Sequence, residues 1–214
     1  MKKNSIKAII FDVGGVLAIP KNPMRLILKR KTSNLGVHEY IAKKFKISLD
    51  QWIDSIDSTY ADAIEGKITE KKFVSIISKN VKTDPKKLEK IFIRAYNKNF
   101  KYNEELYKEA FKLKKQGYKI AILSDQHHVS QKALMPEKYT KKFNVSIVSC
   151  DVGLRKPNPK IYKLTLKKLK LPAKNCLFID NQIWNIKPAK KLGFKTILFK
   201  DNKQVFRQLS KVLK

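Results

Sequence analysis

The sequence predicts an α/β protein: an open parallel sheet with helices on both faces, interrupted by an all-helical insert. Three observations lead there. A short apolar run near the start, "KAIIFDV" (7–13), ends in an acid followed by two glycines. Between about residues 22 and 99 apolar positions recur with a helical period and no strand stands out, and after residue 100 strand-like and helix-like segments alternate.

Residues 7–13 read as a buried strand because the run is short, apolar and ended by glycine. The next block carries four helical patterns, "HEYIAKKFKI", "SLDQWIDSIDSTYADAIEG", "TEKKFVSIISKNV" and "DPKKLEKIFIRAYNKNF". Ser48, Thr69 and Asp84 are placed as N-caps, with Pro85 as a first helical residue. Then follow a helix over 103–116, strand "YKIAILSD", a helix from about residue 129 and strand "VSIVSCDVG". Helix 159–170, strand "NCLFID", helix 185–192, strand "KTILFKD" and helix 203–213 complete the series. Strands separated by helices of this length imply parallel βαβ units. The first strand must join them, because a lone parallel strand cannot bury both its faces. Residues 1–18 and 98–214 are therefore expected to form one core, with 19–97 inserted as a helical unit.

A length of 214 residues suits one domain with a modest insert. Cys150 and Cys176 have no CxxC and no His near them in sequence, so neither a disulfide framework nor a zinc site is expected. The formal net charge of +30 makes nucleic acid a partner to weigh. However, only five of the 48 basic residues are Arg and the lysines are spread along the chain. Sequence readers favour bidentate Arg and a concentrated surface, so the excess reads as compositional bias with non-specific polyanion attraction. Without an apolar run of about 18 residues or a signal-peptide core, a soluble cytoplasmic protein with no membrane partner is expected.

Four strand ends carry polar groups that would converge on one crevice: Asp12; Ser124 with Asp125; Lys156 in "GLRKPNP"; and Asp180 with Asn181 in "FIDNQIWN". In this order, an Asp, a hydroxyl, a Lys and a carboxylate or amide resemble the four motifs of the haloacid dehalogenase superfamily. "EGKITEKKF" is similar to a segment of many helical caps in that family. The resemblance covers nearly the whole chain and points to the phosphatase-like subgroup with a small helical cap on a Rossmann-like core. It implies Asp12 as the nucleophile that forms an aspartyl-phosphate on a small phosphorylated substrate. Lys156 and Ser124 would hold phosphoryl oxygens, and Val13, Gly14 and Asp125 would line the substrate site. Mg²⁺ would be held by Asp12, the Gly14 carbonyl, Asn181 and Asp180.

Three departures from the pattern matter. Gly14 stands where such phosphatases carry the Asp that protonates the leaving group, a loss expected to cost about 10²–10⁴ in rate. Asn181 stands where a carboxylate ligand is usual, which weakens a hard-cation site. Asp125 replaces an Asn and would repel phosphate unless protonated or paired, for example with Lys156. His127 is the candidate replacement acid, against a helix-surface imidazole as the plainer reading. Two other functions compete. The metal-independent 2-haloacid dehalogenases also lack the second acid, and Trp184 is similar to a tryptophan of theirs, although a core tryptophan explains it and Asn185 replaces their Asp. The other is a catalytically degenerate basic protein that binds polyanions.

Overall fold

The computed structural model describes residues 5–22 and 35–213. The part of the predicted helical block that falls on 23–34 lies outside them. Strand β1 (Ala8–Phe11) is followed by a tight turn and by β2 (Ala18–Pro20). Helices α1 (Leu35–Phe45), α2 (Leu49–Ile64), α3 (Glu70–Asn80) and α4 (Pro85–Asn99) follow. After them come β3 (Phe100–Tyr102), α5 (Glu104–Lys115), β4 (Lys119–Ser124), α6 (His128–Leu134), α7 (Glu137–Thr140), β5 (Val145–Val148) and α8 (Ser149–Val152). Helix α9 (Pro159–Leu169), β6 (Cys176–Asp180), α10 (Ile183–Lys191), β7 (Lys195–Leu198) and α11 (Asn202–Val212) end the chain.

Strands β1, β4, β5, β6 and β7 form one parallel sheet in the order β5-β4-β1-β6-β7. Alternate residues of β1 feed two cores: Ile9 and Phe11 pack with α5 and α11 on one face, Ala8 and Ile10 with α9 and α10 on the other. β1, β4 and β6 are almost wholly buried, as a parallel sheet covered on both faces requires. The expected open sheet with helices on both faces is what forms.

Helices α2 to α4 start where their caps dictate. Ser48 and Gln51 make a reciprocal capping box, and Thr69 and Asp84 accept backbone N–H bonds from Lys72 and Lys87. Trp52 is the centre of their packing, fully buried, its indole N–H donating to His38 Nδ1 at 2.9 Å and its ring against Phe45 and Phe92. Burial lowers the His38 pKa to about 4, so this imidazole acts as a neutral acceptor.

Two features differ from expectation. β2 and β3 pair antiparallel, so a short ribbon flanks the helical block where no strand was predicted; three-residue strands carry too little periodicity to register. The strand expected over "VSIVSCDVG" stops at Val148, because Ser149 to Val152 turn into α8, closed by Gly153 at φ +67. Among the described residues no helix is long and apolar enough to cross a membrane.

Candidate active site

β1, β4 and β6 are neighbours, so the residues at their carboxyl ends meet at the point where the strand order reverses. A cavity of about 180 Å³ opens there. Asp12, Gly14, Asp125, Gln126, Lys156 and Asn181 line it from the sheet side, and Tyr60 and Tyr96 from α2 and α4.

Asp12 is buried, with Oδ1 accepting the Val13 N–H at 2.7 Å and lying 3.0 Å from Lys156 Nζ. Lys156 is equally enclosed; its ammonium also donates to Asp180 Oδ2 at 2.7 Å and to the Leu123 carbonyl at 3.3 Å. Burial opposes this charge, but Asp12, Asp180 and Asp125 outweigh it and hold the ammonium above its ordinary pKa. Burial pushes Asp12 up to about 7, with Lys156 pulling the other way and Asp180 adding to the rise. A lysine between two carboxylates is thus fixed as a cation, and the crevice wall carries the charge that an anion needs.

Asp180 is fully buried and does not line the cavity. Its oxygens are taken by Lys156, by the Gln182 N–H at 2.7 Å and by Asn185 Nδ2. The expected metal ligand is thereby placed as the group that holds the lysine. Asn181 does line the cavity, and its buried Oδ1 has no hydrogen-bond partner. An orphaned amide oxygen in one cavity with the Asp12 carboxylate and the Gly14 backbone fits a hard cation such as Mg²⁺, with one carboxylate among the donors.

Ser124 is also fully buried and does not line the cavity; its Oγ accepts from Gln126 Nε2 at 3.0 Å. Gln126 is the wall residue there, a role unreadable from sequence because nothing marks that amide among ordinary polar residues. Val13, expected in the substrate site, does not line the cavity: its N–H is taken by Asp12 Oδ1 and its side chain belongs to the core. Asp125 Oδ1 accepts the Lys156 backbone N–H at 3.0 Å, and burial raises its pKa, both of which ease repulsion of an anion. The expected partner is right, but the bond runs to its backbone.

His127 is not on a helix surface. It is buried as the N-cap of α6, Nδ1 accepting the Ser130 N–H at 3.3 Å and Nε2 lying 3.2 Å from the Tyr96 hydroxyl. Tyr60, Phe73, Phe92 and Tyr96 surround the ring. Burial lowers its pKa to about 3, so near neutrality it is uncharged. Trp184 is not in the core either: it is 51% exposed and lines the cavity, beside exposed Ile183. Gly14 has no left-handed φ, and a Cβ there would meet only Gln126 Nε2, at 3.9 Å.

A model of haloacid dehalogenase-like hydrolases matches residues 6–193. Bifunctional epoxide hydrolase 2 of Sus scrofa is 28% identical over 224 residues, covering 97% of this chain and 39% of that protein. The chain thus spans about two fifths of the length of such curated relatives. A glyceraldehyde 3-phosphate phosphatase of Pyrococcus abyssi is 30% identical over 125 residues, 56% of this chain and 52% of that one. A haloacid dehalogenase family enzyme of Bacteroides thetaiotaomicron, solved in complex with magnesium and inorganic phosphate, shares the fold. Its TM-score is 0.71 at 22% identity, with 94% of this chain and 100% of that one covered.

Proposed function

The chain belongs to the haloacid dehalogenase-like hydrolases, and we propose that within them it is a Mg²⁺-dependent phosphatase of a small phosphomonoester, slowed by the absence of an acid at Gly14. The observation that carries the reading is the 3.0 Å pairing of the Asp12 carboxylate with a buried ammonium, Lys156, in a cavity that also holds the orphaned Asn181 oxygen.

In this reading Asp12 attacks phosphorus and forms an aspartyl-phosphate as the bond from phosphorus to the substrate's leaving oxygen breaks and the alcohol departs; water then attacks phosphorus, breaking its bond to the Asp12 oxygen, which frees phosphate and returns the carboxylate. Lys156 offsets charge on the phosphoryl oxygens, while Asp180 keeps its ammonium in place. Asp12, Asn181 and Gly14 would hold Mg²⁺, which when bound neutralises phosphoryl charge. Helices α1 to α4 would act as the cap, presenting Tyr60 and Tyr96 to the substrate. Gly14 offers no proton to the departing oxygen, which leaves that proton to solvent. The lysine-rich surface would add salt-sensitive, sequence-independent attraction to polyanions.

A panel of phosphomonoesters assayed with Mg²⁺ and with chelator tests the proposal, beside chloride release from short 2-haloacids. Phosphate release that needs Mg²⁺ and disappears in Asp12→Asn is expected. Chloride release without Mg²⁺ and no phosphate release would replace it with the dehalogenase reading, which Trp184 at the cavity favours.

A further inference from the structure

Neither cysteine has a histidine near it in sequence, but the fold closes that distance. β4 and β5 are parallel neighbours, so the turns that follow them lie side by side; His128 opens α6 in one, and Cys150 and Asp151 sit in α8 in the other. His128 Nε2 lies 3.8 Å from Asp151 Oδ1, Cys150 Sγ lies 3.8 Å from the same oxygen, and one ligand atom from each of the three residues lies within 4.8 Å of the other two. Ordinary zinc bond lengths in a tetrahedron set N, O and S ligand atoms about 3.4–3.6 Å apart. Two of the three separations need shortening by only a few tenths of an ångström.

We propose that His128, Cys150 and Asp151 form a binding site for a thiophilic divalent cation of the zinc class, separate from the Asp12 cavity. A thiolate and an imidazole select zinc, cobalt or cadmium over magnesium. Binding replaces the Cys150 thiol proton with the cation: the S–H bond breaks, the S–metal bond forms and the proton passes to solvent. Gln131 orients the set from the next turn of α6. Its Nε2 donates to Asp151 Oδ2 at 2.9 Å, and its Oε1 accepts from Cys150 Sγ at 3.4 Å. That oxygen or a water would complete the tetrahedron. The His128 and Asp151 side chains are 32% and 45% exposed, which leaves a path from solvent.

The site lies against the turn between α2 and α3, where a Cβ on Gly66 would come 2.2 Å from the Cys150 carbonyl oxygen. A bound cation would therefore tie α8 to α6, whose N-cap His127 lines the cavity.

Chelator-treated protein titrated with Co²⁺ tests this directly. The expected result is one equivalent bound with a near-ultraviolet thiolate-to-cobalt charge-transfer band, unaffected by excess Mg²⁺ and retained in Cys176→Ser. The band should vanish in Cys150→Ser. In His128→Ala affinity should fall by at least the about 10–100-fold that losing an outer-shell partner costs. The His128 side chain is only partly buried and outside the hydrophobic core, so this variant keeps its fold, which circular dichroism checks. Absence of the band at equimolar Co²⁺, or a band that survives Cys150→Ser, overturns the proposal.

Discussion

Gly15 and Asn181 approach so closely that a Cβ on the glycine would lie 2.3 Å from the amide Nδ2 and 2.8 Å from Cγ. The glycine also has φ +86, where an L side chain is strained. Asn181 is thus held against the backbone of the turn that carries Asp12. Gly15→Ala should cost about 1 kcal/mol or more from the backbone alone and push the Asn181 amide aside. We expect a lower melting temperature together with a raised Mg²⁺ requirement for activity. A variant with wild-type Mg²⁺ dependence would show that the amide contributes nothing to the cation site.

The room at Gly14 makes a gain of function testable. Its φ is not left-handed and a Cβ meets only the flexible Gln126 amide, so Gly14→Asp should fold without strain. Combined with Asn181→Asp it restores an acid and a second carboxylate. Phosphatase kcat/KM is expected to rise about 10²-fold or more, with the pair exceeding the product of the single effects. Steady-state kinetics of the four proteins decide it; a folded double variant with no gain would mean that the glycine belongs to a different working mechanism.

Leaving-group chemistry should expose the missing acid. His127 is pushed to about 3 and Tyr96 well above its usual range, both by burial, so neither is a ready acid near neutrality. Across aryl phosphates of graded leaving-group acidity, kcat/KM should climb steeply. The most acidic should give a stoichiometric burst followed by a common slow kcat, set by hydrolysis of the aspartyl-phosphate. A flat dependence that becomes steep in Asp125→Asn would instead identify that carboxyl, raised by burial, as the proton donor.

His127 should make stability depend on pH in a defined window. Its folded pKa, about 3, lies below the unfolded value of about 6.5, so between those values the unfolded chain binds more protons and stability rises with pH. Asp12 acts in the opposite sense, since its pKa is raised to about 7. The comparison is therefore wild type against His127→Gln. The difference, in favour of wild type, should grow from pH 4 to about 6.5 and then level off; a pH-independent difference would mean that the imidazole stays solvated.

The alternating strands and helices were legible because their periodicities are long enough to register and their ends carry chemical punctuation such as Ser48 and Asp84. The convergence of Asp12, Lys156 and Asn181 was also legible, since parallel strands bring their carboxyl ends together. What hid was partner choice. Nothing local in the chain says that Asp180 takes the ammonium while Asn181 lines the cavity, or that Gln126 covers Ser124. Nor does local pattern show that His127 is walled in by rings from α2, α3 and α4, because those rings are distant in sequence. Trp184 misled for the converse reason: an aromatic in a helix reads as core, whereas this one is 51% exposed on the cavity lining.

The central strand has a temporal consequence. Ala8 in β1 pairs on one side with Lys119 and on the other with Cys176, so the strand that carries Asp12 to the cavity precedes both its neighbours in the chain by more than a hundred residues. During synthesis its apolar residues must wait, unpaired, for partners that arrive after most of the chain has left the ribosome. Contacts this distant in sequence slow folding and lengthen the exposure of a sticky edge. The cavity is consequently completed late in the growing polypeptide, and a chain halted before β6 has Asp12 and Lys156 but neither the Asp180 that holds the ammonium nor the Asn181 that lines the cavity.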